Sequence, residues 1–265
     1  MKKIIFTAYN LDAGGIERAL ITLLKSIDYE KYSVTLLLEK KEGVFIEEIP
    51  KDVKVLEYKI STCSFVPLRK IINRLKLVKT ILFNRNKYDF ACCYAPYSIP
   101  GALLTRHFSK NNCIWIHTDY YYLYNGDNQK IKNFFNERYI VDFKHIIFVA
   151  NEARDHFVDI YPKLKNKTVI CNNLVDKDYI VKMANEQIED IKPIKPLFIN
   201  IARHDEHSKK ITRLIEAASL LKQSKFDFEI WLIGNGDDTK KYEDKIKKLQ
   251  LSSCNFFILS SYFLV

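Results

Sequence analysis

The sequence predicts an α/β fold built around two parallel β-sheets, and three observations lead to this prediction. Short apolar runs alternate with amphipathic helices along nearly the whole chain. The apolar runs lack the polar alternation of a one-sided sheet, as expected for strands that helices cover on both faces. A polar, charged stretch at residues 176–196 interrupts the alternation, which then restarts. We therefore expect domains at residues 1–175 and 197–265, joined by a linker at 176–196.

The first domain is expected to begin with a buried strand at Lys2–Ala8, followed by a glycine-containing loop. Apolar residues at helical spacing between Ile16 and Ile27 then predict an amphipathic helix. Later apolar runs predict strands at Ser33–Leu38, Val53–Tyr58, Asp89–Tyr94, Cys113–His117, His145–Ala150 and Thr168–Cys171. Helical periodicity predicts helices at Leu68–Leu82, Ile99–Phe108, Lys130–Val141 and Glu152–Ile160.

The second domain is expected to be smaller. Its predicted strands are Leu197–Ala202, Phe228–Gly234 and Asn255–Leu259, and its predicted helices are Lys209–Lys222 and Thr239–Leu249. Three strands and two helices would form a small parallel sheet with poorly covered edges. The last six residues, 260–265, are mostly apolar and aromatic, where a surface terminus would be polar. We therefore expect this second domain to be incomplete.

The composition is that of a globular protein, because 48% of the 265 residues are apolar and 28% are charged. No apolar run reaches the roughly 18 residues of a membrane span, and the N-terminus lacks the apolar core of a signal peptide. The sequence therefore predicts a cytoplasmic protein. The six cysteines show no C-x-x-C spacing, which favours reduced core thiols over disulfides or a zinc site.

The net charge of +10 indicates an anionic partner such as a phosphorylated substrate, an anionic membrane surface or nucleic acid. No nucleic-acid-binding motif is present, so nucleic acid is not expected. A basic segment interleaved with Ile and Leu suits peripheral docking on an anionic membrane, or it is a solvated face above a core-facing stripe. Its cations are Arg69, Lys70, Arg74, Lys76, Lys79, Arg85 and Lys87.

A first candidate site follows the first strand, at the carboxyl edge of the predicted sheet, where ligands bind in open α/β folds. The segment runs Gly14-Gly15-Ile16-Glu17-Arg18 into the first helix. Glycines let a ligand approach the backbone, and the free N–H groups of a helix start attract anions. The alternative is an ordinary strand-to-helix turn.

A second candidate site ends another strand of the same sheet, so its side chains should lie at the same edge. His117 could hydrogen-bond a sugar hydroxyl or move a proton, and Asp119 places a carboxylate beside it. A structural role for this histidine is the alternative. The tyrosines that follow, residues 120–122 and 124, could stack on a ligand or simply pack in the core.

The second domain holds two candidate loops, each following a strand. Arg203 and Lys209 could converge on a diphosphate at a helix start, or form a solvated basic loop. Gly234 and Gly236 suit a tight loop near a ligand, or an ordinary turn. The histidines at 204 and 207 have no third ligand in the pattern, so no metal site is expected.

Taken in order, these segments resemble glycosyltransferase family four, over essentially the whole chain. No single motif is decisive, whereas the ordered set is specific. The spacing from Arg203 to Lys209 is one residue longer than the commonest family form. The matching segments are Gly14–Arg18, His117, Asn173–Asp176, Ile201–Arg203 with Lys209, Arg213–Ala217 and Ile230–Gly236.

The resemblance implies a GT-B fold of two Rossmann-like domains and retaining transfer from a nucleotide-sugar to a glycan or lipid-linked acceptor. It implies bacterial surface-polysaccharide synthesis, such as capsule, and no metal or cofactor. It also implies that His117 is catalytic and that substrates are bound by Gly14, Gly15, Glu17, Arg18, Arg203, Lys209, Gly234 and Gly236. From its place beside His117, we expect Asp119 to bind substrate as well. The family's Glu-x7-Glu segment is missing, so we expect impaired activity. The alternative is a non-catalytic acceptor- or membrane-binding subunit that needs a partner chain.

Overall fold

The computed structural model describes residues 1–187, 195–251 and 256–259. The strands are β1 (Lys2–Ala8), β2 (Tyr32–Leu38), β3 (Lys54–Glu57), β4 (Phe90–Cys93), β5 (Asn112–Ile116), β6 (His145–Phe148), β7 (Thr168–Ile170), β8 (Leu197–Ile201), β9 (Glu229–Ile233) and β10 (Phe256–Leu259). The helices are α1 (Gly15–Lys25), α2 (Val66–Asn84), α3 (Ile99–Phe108), α4 (Tyr120–Leu123), α5 (Asn128–Asn136), α6 (Asn151–Ile160), α7 (Lys177–Ala184), α8 (Glu206–Lys209), α9 (Ile211–Gln223) and α10 (Thr239–Lys248).

The chain divides into two units, residues 1–181 and 182–265. The first unit contains a seven-stranded sheet in the order β3-β2-β1-β4-β5-β6-β7, with every neighbouring pair parallel. The strand order reverses between β1 and β4, and the crevice outside the carboxyl ends at such a switch point is where open α/β sheets bind ligands. The loops after β1, β4 and β5 therefore lie where a site is expected.

The second unit contains a smaller sheet in the order β10-β9-β8, also parallel. Its core is formed by α9 and α10 against the strands, with Ile215, Leu232 and Tyr242 fully buried. The α/β class and both parallel sheets agree with the sequence prediction.

Helices cover both faces of the first sheet, which explains why its strands are apolar on both sides. On one face, α1 buries Leu20 and Leu24 against β1 and β2, as its periodicity predicts. On the other face, Phe135 of α5 and Phe157 of α6 pack against Phe148 of β6. The two cores fix the sheet, and with it the edge that carries the candidate site.

The predicted helix at Lys130–Val141 is wrong beyond Asn136. Tyr139 has a left-handed backbone with φ of 50°, and a short 3-10 helix follows at Ile140–Asp142. The buried Arg138 donates hydrogen bonds to the carbonyls of Pro96 and Phe134, which holds the chain in this turn. A tertiary contact therefore ends the helix, and helical periodicity alone gave no sign of it.

Two further predictions need correction. The helix predicted at Lys209–Lys222 is α9, but it begins at Ile211, because Lys210 has φ of 52° and separates it from the short helix α8. The predicted linker at 176–196 contains α7. Residues 188–194 of that stretch lie outside the described residues, as do Cys254 and the tail at 260–265.

Replacing Lys210 with glycine is expected to stabilise the second unit by about 1 kcal/mol. A side chain in the left-handed region costs about 1–2 kcal/mol, and glycine removes that cost at a smaller entropic penalty. Thermal unfolding should shift upward by about 4–8 °C if this unit melts as one small domain. The neighbouring Lys209→Gly change, within a helix, should lower the melting temperature. A lower melting temperature for Lys210→Gly would contradict the backbone assignment.

For the basic helix α2 the sequence left two alternatives open, docking on an anionic membrane and a solvated basic face above a core-facing stripe, and the structure contradicts the core-facing stripe. None of its residues is buried, and the apolar stripe marked by Leu68, Leu75 and Leu82 faces away from the sheet. The opposite side, including Leu77 and Ile81, makes the contacts with the rest of the unit. Within the described residues, no helix is long and apolar enough to cross a membrane.

Among the five cysteines in the described residues, three lie in the core as predicted, whereas Cys63 is half-buried and Cys171 is exposed. Cys92, Cys93 and Cys113 lie in the first sheet and are buried. Burial raises the pKa of the Cys93 thiol to about 12, so this thiol stays protonated and acts as a small apolar group.

Candidate functional site

The glycine segment after β1 forms the start of α1. Gly14 is the N-cap, and Gly15 begins the helix with open space where a side chain would be. The Glu17 carboxylate folds back so closely that a Cβ on Gly14 would lie 2.1 Å from its Oε2. A side chain at position 14 would therefore displace the flexible end of Glu17, whose carboxylate lies at the helix start, where an anion would bind.

Glu17 and Arg18 have separate surroundings. Burial raises the pKa of Glu17, with the nearby Asp12 charge acting in the same direction. Arg18 forms an ion pair of 2.7 Å with Glu48 and lies over the Phe45 ring, 4.2 Å from its centroid. The guanidinium is thus already partnered by the segment after β2.

His117, directly after β5, is fixed on three sides. Its Nε2 lies 2.8 Å from the carbonyl oxygen of Tyr94, the residue that follows β4. Its ring stacks on Trp115 at an interplanar angle of 16° and contacts the Tyr94 ring at 4.7 Å. The loop after β4 therefore determines the orientation of the imidazole at the switch point of the sheet.

Burial lowers the pKa of His117 to about 4, although the Tyr94 carbonyl and the Asn173 side chain act in the opposite direction. The ring is consequently neutral near pH 7. Because the Tyr94 carbonyl only accepts, Nε2 carries the proton, and Nδ1 holds the lone pair. Nδ1 is buried and has no hydrogen bond of regular geometry within the described residues. His117 therefore has one buried nitrogen with a lone pair, and the Asn173 side chain interacts with the same ring.

Asp119 is the N-cap of α4 and serves two partners. Its Oδ1 accepts the backbone N–H of Tyr121, and its Oδ2 lies 2.8 Å from Nδ1 of His156 on α6. The Tyr121 ring stacks on His156, with centroids 4.4 Å apart. Asp119 thus ties α4 to α6 next to His117. Of the predicted tyrosine run, Tyr120 packs in the core, whereas Tyr121 and Tyr122 remain exposed.

In the second unit, the glycine loop after β9 crosses the loop after β8 at very short range. A Cβ on Gly234 would lie 2.1 Å from the carbonyl oxygen of Ala202, and one on Gly236 would lie 2.4 Å from that of His204. Both positions therefore require glycine on steric grounds. The two loops enclose an open cavity of about 340 Å³ lined by Arg203, His204, Asp205, Gly236, Asp237 and Asp238.

The predicted diphosphate clamp needs free positive groups at this cavity, but carboxylates already partner some of them. Arg203 is exposed and pairs with Asp205 at 3.1 Å, and Lys209 is also exposed. The start of α8 is capped by carboxylates, because Asp205 accepts from the amides of residues 207 and 208, and Asp238 accepts from that of Glu206. A diphosphate would therefore have to displace Asp205 from Arg203.

His204 lies beneath the same loops, almost fully buried. Its Nδ1 lies 2.9 Å from the Thr239 hydroxyl, and its ring meets Tyr242 edge-on. Burial lowers its pKa. Within the described residues there is no group of three or more His, Cys, Asp or Glu residues that could hold a metal ion.

Within the first unit, the structure brings Glu17, Tyr94, His117 and Asp119 to one edge of the sheet. The ring of Tyr94 contacts that of His117, and burial, with a smaller effect of the Glu17 charge, raises the pKa of Tyr94. Sequence reasoning missed Tyr94 and His156. In the second unit it missed the carboxylates that follow Gly236, although they stand next to that glycine in the sequence.

Comparison with known proteins finds similarity in structure only. No protein-family model and no curated protein matches the chain. HepE from Anabaena, solved with UDP and glucose, is 16% identical with a TM-score of 0.63, covering 98% of this chain and 70% of its own. A glycosyltransferase from Rickettsia africae is 18% identical with a TM-score of 0.62, and the match covers 98% of this chain and 69% of that protein. WaaG, a glycosyltransferase involved in lipopolysaccharide biosynthesis, is 14% identical with a TM-score of 0.60. This match covers 97% of this chain and 70% of WaaG.

At these identities the similarity establishes the fold and leaves the chemistry to be argued from the sites. The match extends over both units, and each unit has the parallel, Rossmann-like strand order. The chain therefore has the α/β architecture of GT-B glycosyltransferases.

Proposed function

We propose that this protein transfers a sugar from a nucleotide-sugar donor to a glycan or lipid-linked acceptor in bacterial surface-polysaccharide synthesis. The observation that carries the proposal is the fold shared over 98% of the chain with a protein solved with UDP and glucose. The first unit adds a neutral, oriented histidine at the edge where open α/β sheets bind ligands. The resemblance to glycosyltransferase family four supports retention of configuration at the transferred carbon.

In the proposed reaction, the bond between the sugar C1 and the diphosphate oxygen breaks while C1 bonds to an acceptor hydroxyl oxygen. The hydroxyl proton passes to the leaving diphosphate. His117 accepts a hydrogen bond from a hydroxyl of the transferred sugar through Nδ1, which holds the sugar as charge develops at C1. Arg203 and Lys209 neutralise the leaving diphosphate, so the reaction needs no metal and no cofactor.

The direct test is binding followed by turnover. Calorimetry with UDP, GDP and UDP-glucose should show a nucleoside diphosphate bound, and an acceptor-dependent release of nucleoside diphosphate should persist in EDTA. Retention is checked from the anomeric configuration of the product. If none of these nucleotides binds and none is released, the proposal is wrong.

Replacing Arg203 and Lys209 together with alanine is expected to weaken nucleoside-diphosphate binding at least about tenfold. Each charge-assisted hydrogen bond to a phosphate contributes about 1.5–3 kcal/mol, part of which is spent in separating Arg203 from Asp205. The matched control is Lys247→Ala with Lys248→Ala, which removes the same charge from the last turn of α10. Equal affinity in wild type and the Arg203/Lys209 variant would remove the clamp from the proposal.

A second candidate function is an acceptor- or membrane-binding subunit that needs a partner chain for the donor half. The edge strand β8 favours it, because Phe198, Ile199 and Ile201 of this strand are exposed on both faces. This candidate predicts binding of acceptor or vesicles with no binding of nucleoside diphosphate. The calorimetry above therefore separates the two functions.

A further inference from the structure

Arg138 is buried next to the loop that follows β4, with 6% of its surface exposed. Its Nε donates a hydrogen bond to the carbonyl oxygen of Pro96, and its Nη1 donates one of 2.6 Å to that of Phe134. The guanidinium carbon lies 3.6 Å from the centroid of the Phe134 ring, and the exposed Glu137 carboxylate is 3.3 Å from Nη1. Burying a charge costs much free energy unless polar partners compensate it. The guanidinium is therefore held at the point where these groups meet.

Residues 94–98 connect β4 to α3 and are called the β4 loop below. At its start, the backbone N–H of Tyr94 donates a hydrogen bond to β1, and at its end the Ser98 side chain caps α3. Pro96, in the middle, has no backbone N–H, so its carbonyl is the backbone group by which the rest of the protein can hold it. Arg138 takes that carbonyl. The arginine thus fixes the middle of the β4 loop, while secondary structure fixes the two ends.

The β4 loop makes two hydrogen bonds to the candidate site, one on each side of Pro96 in the sequence. The carbonyl oxygen of Tyr94 accepts from Nε2 of His117 at 2.8 Å. The hydroxyl of Tyr97 lies 3.1 Å from that of Thr118, the residue after the histidine. A shift of Pro96 would therefore move both contacts that the loop makes with the end of β5.

We propose that Arg138 is a positioning residue for His117 and acts through the β4 loop. The guanidinium holds the Pro96 carbonyl, and the loop in turn holds the Tyr94 carbonyl against Nε2, so the imidazole keeps one orientation and one tautomer. Within the described residues, Arg138 makes no hydrogen bond to His117 itself. The inference rests on the proposed function, because it concerns how fast an oriented His117 supports sugar transfer.

The geometry requires arginine rather than lysine at position 138. Arginine donates from Nε, partway along the side chain, and from Nη1 at its end, and it places a flat face against the Phe134 ring. The ammonium of lysine is a single charged point at the end of a flexible stem and cannot reproduce this fork. Replacing Arg138 with lysine therefore keeps the positive charge and removes the fixed contact with Pro96.

The first test reads the tautomer of His117 in the full chain without substrate. Nitrogen NMR of protein with isotope-labelled histidine shows which ring nitrogen carries the proton, and His117→Gln identifies the signal. In wild type the proton should be on Nε2. In Arg138→Lys a population with the proton on Nδ1 should appear, because the Tyr94 carbonyl is no longer held in place. An unchanged tautomer would mean that other contacts, such as that with Asn173, fix the ring, and the proposal would be wrong.

The second test is kinetic. Arg138→Lys should lower kcat for sugar transfer at least about tenfold with little change in KM, since a small misplacement of a catalytic group costs up to about 100-fold in rate. In a His117→Ala background the same change should lower kcat less than about twofold, because no ring remains to be oriented. The matched control is Arg154→Lys, at an arginine on α6 that pairs with its neighbour Asp155, and should leave kcat unchanged. An equal loss in both backgrounds would contradict the proposal.

A second variant keeps the proposal testable if Arg138→Lys does not fold, which circular dichroism and melting would reveal. Phe134→Leu removes the ring that faces the guanidinium, keeps an apolar side chain, and should lower kcat about threefold with the same change of tautomer. Wild-type kcat and tautomer in Phe134→Leu would then overturn the proposal. If wild type transfers no sugar, the proposed function fails, whereas the tautomer comparison still decides whether Arg138 holds His117.

Discussion

Replacing His117 with alanine is expected to lower sugar transfer at least about 100-fold while the fold is retained. The imidazole is neutral, and its Nε2–H is held by the Tyr94 carbonyl, so the orientation of the ring and of the lone pair on the buried Nδ1 is fixed before substrate arrives. A preset polar group of this kind stabilises the transition state without reorganisation, and removing one costs about 100- to 1000-fold in rate. The alanine variant loses the acceptor and leaves a space against Trp115.

The measurement is nucleoside-diphosphate release with donor and acceptor at saturation, so that a loss in kcat is separated from a loss in KM. The control is His107→Ala. His107 lies in the last turn of α3, at the opposite edge of the sheet, and should leave transfer unchanged. Full turnover by the His117 variant would remove this residue from the catalytic role and would leave the donor-binding proposal standing.

The pH dependence of transfer distinguishes an acceptor from a proton donor. With a pKa of about 4, His117 stays neutral from pH 8 down to about pH 5. Its role as an acceptor should therefore produce no loss of rate near pH 6.5, where an ordinary histidine titrates. A loss of rate near pH 6.5 that His117→Gln abolishes would show that the ring must carry a second proton.

The sequence predicted the α/β class because each strand and helix leaves a regular, short-range pattern of apolar residues in the chain. Strands such as β1 and helices such as α3 were predicted with their bounds, since continuous apolar runs and helical periodicity report burial directly. The helix breaks at Tyr139 and Lys210 were missed because both have left-handed backbones that non-glycine residues rarely adopt. Tertiary contacts impose such backbones, and a pattern of apolar residues contains no record of them.

The candidate site was predictable only as far as sheet topology places residues. Carboxyl ends of parallel strands meet at one edge, which is enough to bring Gly14 and His117 together. The hydrogen bond from His117 to Tyr94 and the pair between Asp119 and His156 join residues 23 and 37 positions apart. Their geometry depends on how helices pack on the sheet, so no spacing rule could give it.

Which face of α2 contacts the rest of the protein could not be predicted from the sequence. Ile and Leu occur on both sides of this helix, so periodicity predicted an amphipathic helix and left its orientation open. The structure turns Leu77 inward and Leu75 outward. Composition alone does not distinguish a stripe that meets the core from one that meets a membrane, because both are apolar with basic borders.

Acidification is expected to destabilise the protein by about 2.5 kcal/mol through His117 alone on going from pH 7.5 to pH 4.5. The unfolded chain binds a proton on this histidine below pH 6.5, whereas the folded chain does so only near pH 4. The unfolded state therefore binds more protons in this range, and stability rises with pH. The contribution is complete above about pH 6.5 and is lost as the pH falls toward 4.

The measurement is urea unfolding of wild type and His117→Gln at both pH values. The glutamine does not titrate, so the variant should lose less stability on acidification, and the difference between the two losses isolates His117. His107 and His204, whose pKa values burial also lowers, titrate in both proteins and cancel in this difference. Equal losses in the two proteins would mean that His117 titrates normally. Its ring would then be exposed to water, and the oriented acceptor at the edge of the sheet would have no physical basis.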